Sequence, residues 1–223
     1  MKRTCIYFIL LTIILSGCKE EINPTFKYSE EKNLFKCSIS DMDLIKEAVY
    51  VFEDFVFKNY DFRLKQDLNI AFRNYLKNAE ANFMPIAENF DEHAIAITQE
   101  LMKRESLWEG TKGDMHLRND GELLSCLIDD MQNEDLKELF YAMANSNTLR
   151  ANSVAPLITR YADLLPEDRA LVSYMALDMF YAQVFQLDFS LPKAELAKQI
   201  KTINDSRINY DLNDNVKINP LDQ

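Results

Sequence analysis

Residues 170–187, ALVSYMALDMFYAQVFQL, carry a single charge, Asp178. A helix that is apolar on every side must be buried on every side, in a core or in a membrane. The run lies at the short end of what spans a bilayer, and Asp178, Gln183 and Gln186 would be expensive in lipid. It therefore predicts a central core helix around which the rest of the chain packs. A buried carboxylate needs a partner. Arg150, Arg160 and Arg169 are the candidates for an ion pair with Asp178.

The segments available to enclose that helix read as helices themselves. From Asp41 to Tyr60 the apolar residues Ile45, Ala48, Val49, Phe52, Phe55 and Val56 recur at the i, i+3, i+4, i+7 spacing of one helical face. Ser40 stands where an N-cap belongs. Tyr50 and Phe57 lie off that stripe and are candidates for a partner-facing aromatic surface. Similar stripes predict helices at 62–79, 85–108, 121–131, 134–145, 153–164, 167–187 and 192–204, with Pro156 and Pro192 each in a first turn. Sustained strand alternation is absent. The fold class is thus all-α, about eight helices in a compact bundle or a short array of helical hairpins. Residues 109–120, EGTKGDMHLRND, form the clearest internal loop and hold two of the chain's four glycines. The chain from Asp205 to Gln223 reads as a polar, flexible tail, with a short strand at 207–212.

The amino end has a different grammar. Lys2 and Arg3 precede an apolar run from Cys5 to Leu15, which ends in Leu15-Ser16-Gly17-Cys18. A positive start, an apolar core of 7–15 residues and small residues before a cut describe a secretory signal peptide. Leu-Ser-Gly-Cys further resembles the lipobox of bacterial lipoproteins. The resemblance covers residues 1–21. It implies cleavage after Gly17, lipidation of Cys18 and anchoring of the chain to a membrane through that lipid. Lys19-Glu20-Glu21 resembles the export tag of surface lipoproteins in the Bacteroidota; the cell surface and the periplasmic face of the outer membrane are both open. The implied organisation is a cleaved leader (1–17), a lipidated tether (18–40), a helical domain (41–204) and the tail (205–223).

Cleavage would take Lys2 and Arg3 with the leader, so the formal net charge of −11 would become −13. Phosphate backbones attract basic patches, so nucleic acid is not an expected partner. Cys37 and Cys126 would be the cysteines left with unmodified thiols. They are candidates for a disulfide, which can persist outside the inner membrane; two separate buried thiols are the other reading. Only Gly110, Gly113 and Gly121 follow the leader. Glycine-rich phosphate loops, dinucleotide turns and the GxSxG elbow are all missing. His93 and His116 are the only histidines, and HExxH and Glu-x-x-His are absent. Glu100 shares a predicted helical face with His93, short of a metal site. No catalytic residue, metal ligand or cofactor is therefore assigned. The sequence favours an anchored, non-catalytic module that binds a protein or another envelope component. An envelope enzyme or small-ligand receptor with a pocket near the 109–120 loop is the alternative.

Overall fold

The computed structural model describes residues 25–36, 38–61 and 67–208 with their side chains, and the backbone of 209–216. The leader, Cys18, Cys37 and the last seven residues lie outside the described residues. Among the described residues there are eight helices. They are α1 (Met42–Tyr60), α2 (Leu68–Glu80), α3 (Glu92–Met102), α4 (Glu122–Asp130), α5 (Glu134–Asn145), α6 (Ala151–Thr159), α7 and α8 (Lys193–Val216). Helix α7 is continuous through an α-turn at Arg169–Tyr174, a π-helical stretch at Met175–Tyr181 and a last turn at Ala182–Val184. Two short strands, β1 (Trp108–Glu109) and β2 (His116–Leu117), form an antiparallel hairpin. No helix among the described residues is long and apolar enough to cross a membrane.

The apolar run is the centre of the fold. Every residue from Ala170 to Ala182 is buried. α1 and α4 pack on this helix, α2 packs on α1 and α6, and β2 lies along its π-helical stretch. Phe180 sits within 5.0–5.4 Å of the ring centres of Phe52, Phe55 and Phe90. Each such ring contributes about 1.5–3 kcal/mol by leaving water. Tyr75 Oη donates to the Met179 carbonyl at 2.7 Å, and Tyr181 Oη donates to the Ala48 carbonyl at 3.0 Å. These two core hydroxyls are thus satisfied by backbone.

Several boundaries differ from the sequence reading. α1 is preceded not by a capping Ser40 but by Asp41 at φ 62°, which makes no side-chain cap; the carboxylate instead meets Arg104 Nε at 2.8 Å. The 85–108 segment is broken. A 3₁₀ turn at Ala87–Asn89 ends at Phe90, Asp91 caps α3 through the Ala94 N–H, and a second 3₁₀ turn leads into β1. Trp108 Nε1 donates to the Leu101 carbonyl, which closes α3 (2.9 Å). Helix α6 starts at Ala151, so Pro156 falls in its interior. Finally, α8 runs on to Val216 in place of a tail from 205. The reason is long-range: Asn204 Oδ1 accepts from the Met84 N–H, and Arg207 donates to the Asn82 carbonyl.

The segment before α1 is not a free tether from residue 27 onward. Glu47, 1% exposed, accepts from the Lys27 and Tyr28 N–H groups, each at 2.8 Å. Lys46 Nζ donates to the Ser29 carbonyl, and Leu34 and Phe35 are buried. His93 completes this clamp at 2.6 Å from Glu47, while Glu100 pairs with Lys103. His93 and Glu100 are therefore not brought together. Cys126 is buried and disulfide-bonded; because Cys37 lies outside the described residues, the pairing itself is not described.

Candidate double cleft beside the hairpin

The 109–120 segment folds as the hairpin and its turn. Trp108 pairs with Leu117 and Glu109 with His116. The turn demands glycine at its first position. Gly110 has φ +104°, and a Cβ there would stand 2.1 Å from the Asp114 carbonyl oxygen. Any other residue would have to break this turn. Glu109 Oε1 holds the far side by accepting from the backbone and side-chain amides of Asn119, both at 2.8 Å.

Two cavities flank this turn and share Gly113 and Met115. The first, about 380 Å³, has an apolar wall of Trp108, Met102, Ala182 and Phe185 and is also lined by Glu105, Glu109, Lys112 and Gln186. Trp108 and Phe185 meet edge to face with ring centres 4.8 Å apart. The second, about 340 Å³, is polar and is lined by His116, Arg150, Asp178, Gln183 and Arg207. Ala151 and Asn152, the first two residues of α6, also open onto it. Five parts of the chain meet here: Asn82 just after α2, the hairpin, the start of α6, α7 through Asp178 and Gln183, and the middle of α8.

Asp178 is 2% exposed and sits in the π-helical stretch. Its direct partners are neutral and replace the expected arginine. The Leu117 N–H donates to Oδ1 at 2.7 Å and Tyr174 Oη donates to Oδ2 at 2.8 Å. Arg169 instead forms a two-pronged pair with Glu53 and lies over the Tyr50 ring. Burial pushes the Asp178 carboxyl up to about 6, against the pull of those two hydrogen bonds and of His116 and Arg150. Burial likewise drives Tyr174 well above the usual phenol range.

His116 is buried. Its Nδ1–H donates to the Asp114 carbonyl at 3.0 Å. Nε2 lies 3.2 Å from Glu109 Oε1 but off the line of a hydrogen bond. Arg150 faces Asp114 at 3.5 Å through Nε and donates through Nη1 to its neighbour's carbonyl. Arg207 donates to the Asn82 carbonyl (3.0 Å) and to Gln183 Oε1 (3.1 Å). No carboxylate among the described residues pairs with it. Burial accordingly lowers its pKa.

Among the described residues no serine, threonine or cysteine lines either cavity; Lys112 lines the first, and Asp114, His116 and Asp178 line the second. Among the described residues no cluster of histidine, cysteine and carboxylates could hold a metal ion. Elsewhere, a hollow of about 90 Å³ beside His93 has room for water only. A wider depression of about 590 Å³ is lined by Lys36 and Asp130, already paired with each other. Tyr50 is stacked on Tyr28, while Phe57 is about one-third exposed. The 109–120 loop was legible from sequence as the place for a pocket, whereas His116 had no assigned role and Arg150 was legible only as a partner for Asp178. Arg207 was missed, since the chain around it has the composition of a loose tail. No protein-family model matches the chain, and no curated protein or solved structure shows significant similarity to it.

Proposed function

We propose that the chain is a lipoprotein of the cell envelope, anchored through lipid on Cys18, whose helical domain is a non-catalytic module that binds a small ligand in the double cleft. The observation that carries the binding reading is the cleft itself. Two cavities of ligand size, one apolar and one polar, flank a glycine-dependent turn and share Gly113 and Met115. The anchor rests on the resemblance of residues 1–21 to lipoproteins.

Each half has its own test. Mass spectrometry of the membrane-bound protein should find residues 1–17 gone and a diacyl or triacyl mass on Cys18, absent in Cys18→Ser. An intact leader, or cleavage without lipid, removes the anchor. For the cleft, Trp108 is the chain's single tryptophan and stands in the apolar wall. The neutral fluorophore N-phenyl-1-naphthylamine should therefore receive energy from Trp108 on binding. Met102→Glu, at a position 42% exposed, should abolish that transfer while leaving the melting temperature unchanged. Absence of transfer in the wild type, or transfer indifferent to Met102→Glu, would count against the cleft.

A further inference from the structure

We propose that the ligand of the double cleft is a small amphiphilic carboxylate: its apolar body lies against Trp108, Phe185 and Met115, and its carboxylate reaches Arg150, Arg207 and the open start of α6. This rests on the binding reading above and adds the chemical class.

The two halves of the cleft differ in kind. The wall built from Trp108, Phe185, Met102 and Ala182 offers no strong hydrogen-bonding group other than the Trp108 ring N–H, which is spent on Leu101. It suits an alkyl or ring body. The other half brings Arg150 and Arg207 together with Asp114 and Asp178. Arg207 holds its guanidinium against two neutral acceptors only, Asn82 and Gln183. A partly buried guanidinium without an anion has its strongest interaction still to make, and a carboxylate matches its fork.

Arg150 stands opposite, at the N-cap of α6, and no side chain caps that helix. The first-turn N–H groups of α6 therefore lack intrahelical partners, and the positive end of its dipole favours an anion. Two carboxylates share the space and limit the affinity. Asp114 is largely exposed and touches Arg150 at 3.5 Å, while both Asp178 oxygens are taken by Leu117 and Tyr174. Among the described residues neither pairs with Arg207, whose guanidinium is the group a ligand carboxylate would meet. Gly113 and Met115 line both cavities, so the two adjoin at the turn, and a ligand seated over these residues would reach both.

The test is displacement of N-phenyl-1-naphthylamine, read by energy transfer from Trp108, using decanoate and decanol as competitors. Decanoate should displace the probe at a concentration lower by about tenfold or more, the worth of one charge-assisted contact. Arg207→Gln and Arg150→Gln should each erase most of that preference and leave decanol and the probe itself unchanged. Asn152→Asp guards against a folding artefact. A carboxylate in the first turn favours the helix, yet it should repel decanoate. If decanoate and decanol compete equally in the wild type, the carboxylate assignment falls and the binding reading stands. A preference untouched by all three substitutions also overturns it. Failure of the probe to take energy from Trp108 removes both readings together.

Discussion

Asp178→Asn should make this protein more stable at neutral pH. The carboxylate is 2% exposed and is held by two neutral donors, and burial raises its pKa from 3.8 to about 6. Between those two values the folded chain keeps a proton that the unfolded chain has released. Stability therefore falls as pH rises through that window, the reverse of the usual paired carboxylate. The full penalty above pH 6 corresponds to about 3 kcal/mol, of which about 2 develops between pH 4.5 and 7.5. Asparagine has nearly the same shape and no charge. Its carbonyl can accept from the Leu117 N–H, and the Tyr174 hydroxyl can rotate to accept from its amide. Urea unfolding of both proteins at several pH values gives the test, because the difference cancels every other titrating group. The difference should favour Asp178→Asn by about 3 kcal/mol at pH 7.5 and shrink toward about 1 at pH 4.5. A pH-independent difference, or a variant less stable than wild type at pH 7.5, would refute the reasoning.

Three further outcomes follow from the same geometry. Glu47→Ala should detach the strap that precedes α1, at a cost of about 2–4 kcal/mol for the lost charged acceptor; accelerated tryptic cleavage after Lys27 and Lys32 reads it directly, and an unchanged cleavage rate contradicts the clamp. Cys126 should resist alkylation until reduced and should map to Cys37 in a non-reducing digest, and reduction should lower the urea midpoint. A bridge of that span would close a loop of about 90 residues and contribute up to roughly 4–5 kcal/mol. Gly110→Ala should cost at least about 1–3 kcal/mol from the positive φ alone and shift Trp108 emission, because the turn that seats the hairpin cannot keep its shape; a silent substitution would mean that the turn is otherwise built.

Helices α1 and α5 were legible because each is amphipathic, so its stripe carries its boundaries. α7 was legible for a different reason: one charge in eighteen residues leaves burial as the only soluble outcome. That same uniformity hid its π-helical stretch. A π turn rotates the following residues to a new face, and a helix apolar all round has no stripe to show the shift. The break in 85–108 had a local sign, Asp91 three residues before Ala94, which is N-cap spacing. The alignment of Ile86, Phe90, Ala94 and Ile97 outweighed it in the sequence reading. The extension of α8 had no local sign. Asn204 and Arg207 are fixed by backbone groups of Met84 and Asn82 more than a hundred residues earlier.

The exceptions to good local design converge on one place. A core helix departs from α-geometry at Met175–Tyr181, keeps a carboxylate whose burial costs stability, and presents that carboxylate to a turn that only glycine can make. An arginine nearby has neutral acceptors, the Asn82 carbonyl and Gln183 Oε1, as its hydrogen-bond partners among the described residues. Each feature alone is an ordinary irregularity. A leucine at 178 would pack the core at no electrostatic cost, yet it would leave the Leu117 N–H unpaired and release β2 from the helix. Asp178 therefore trades stability for the position of the hairpin, and the hairpin is what divides the cleft into its apolar and polar halves. Irregularities that are costly separately and coherent together are the physical signature of a site shaped for a ligand rather than for stability alone.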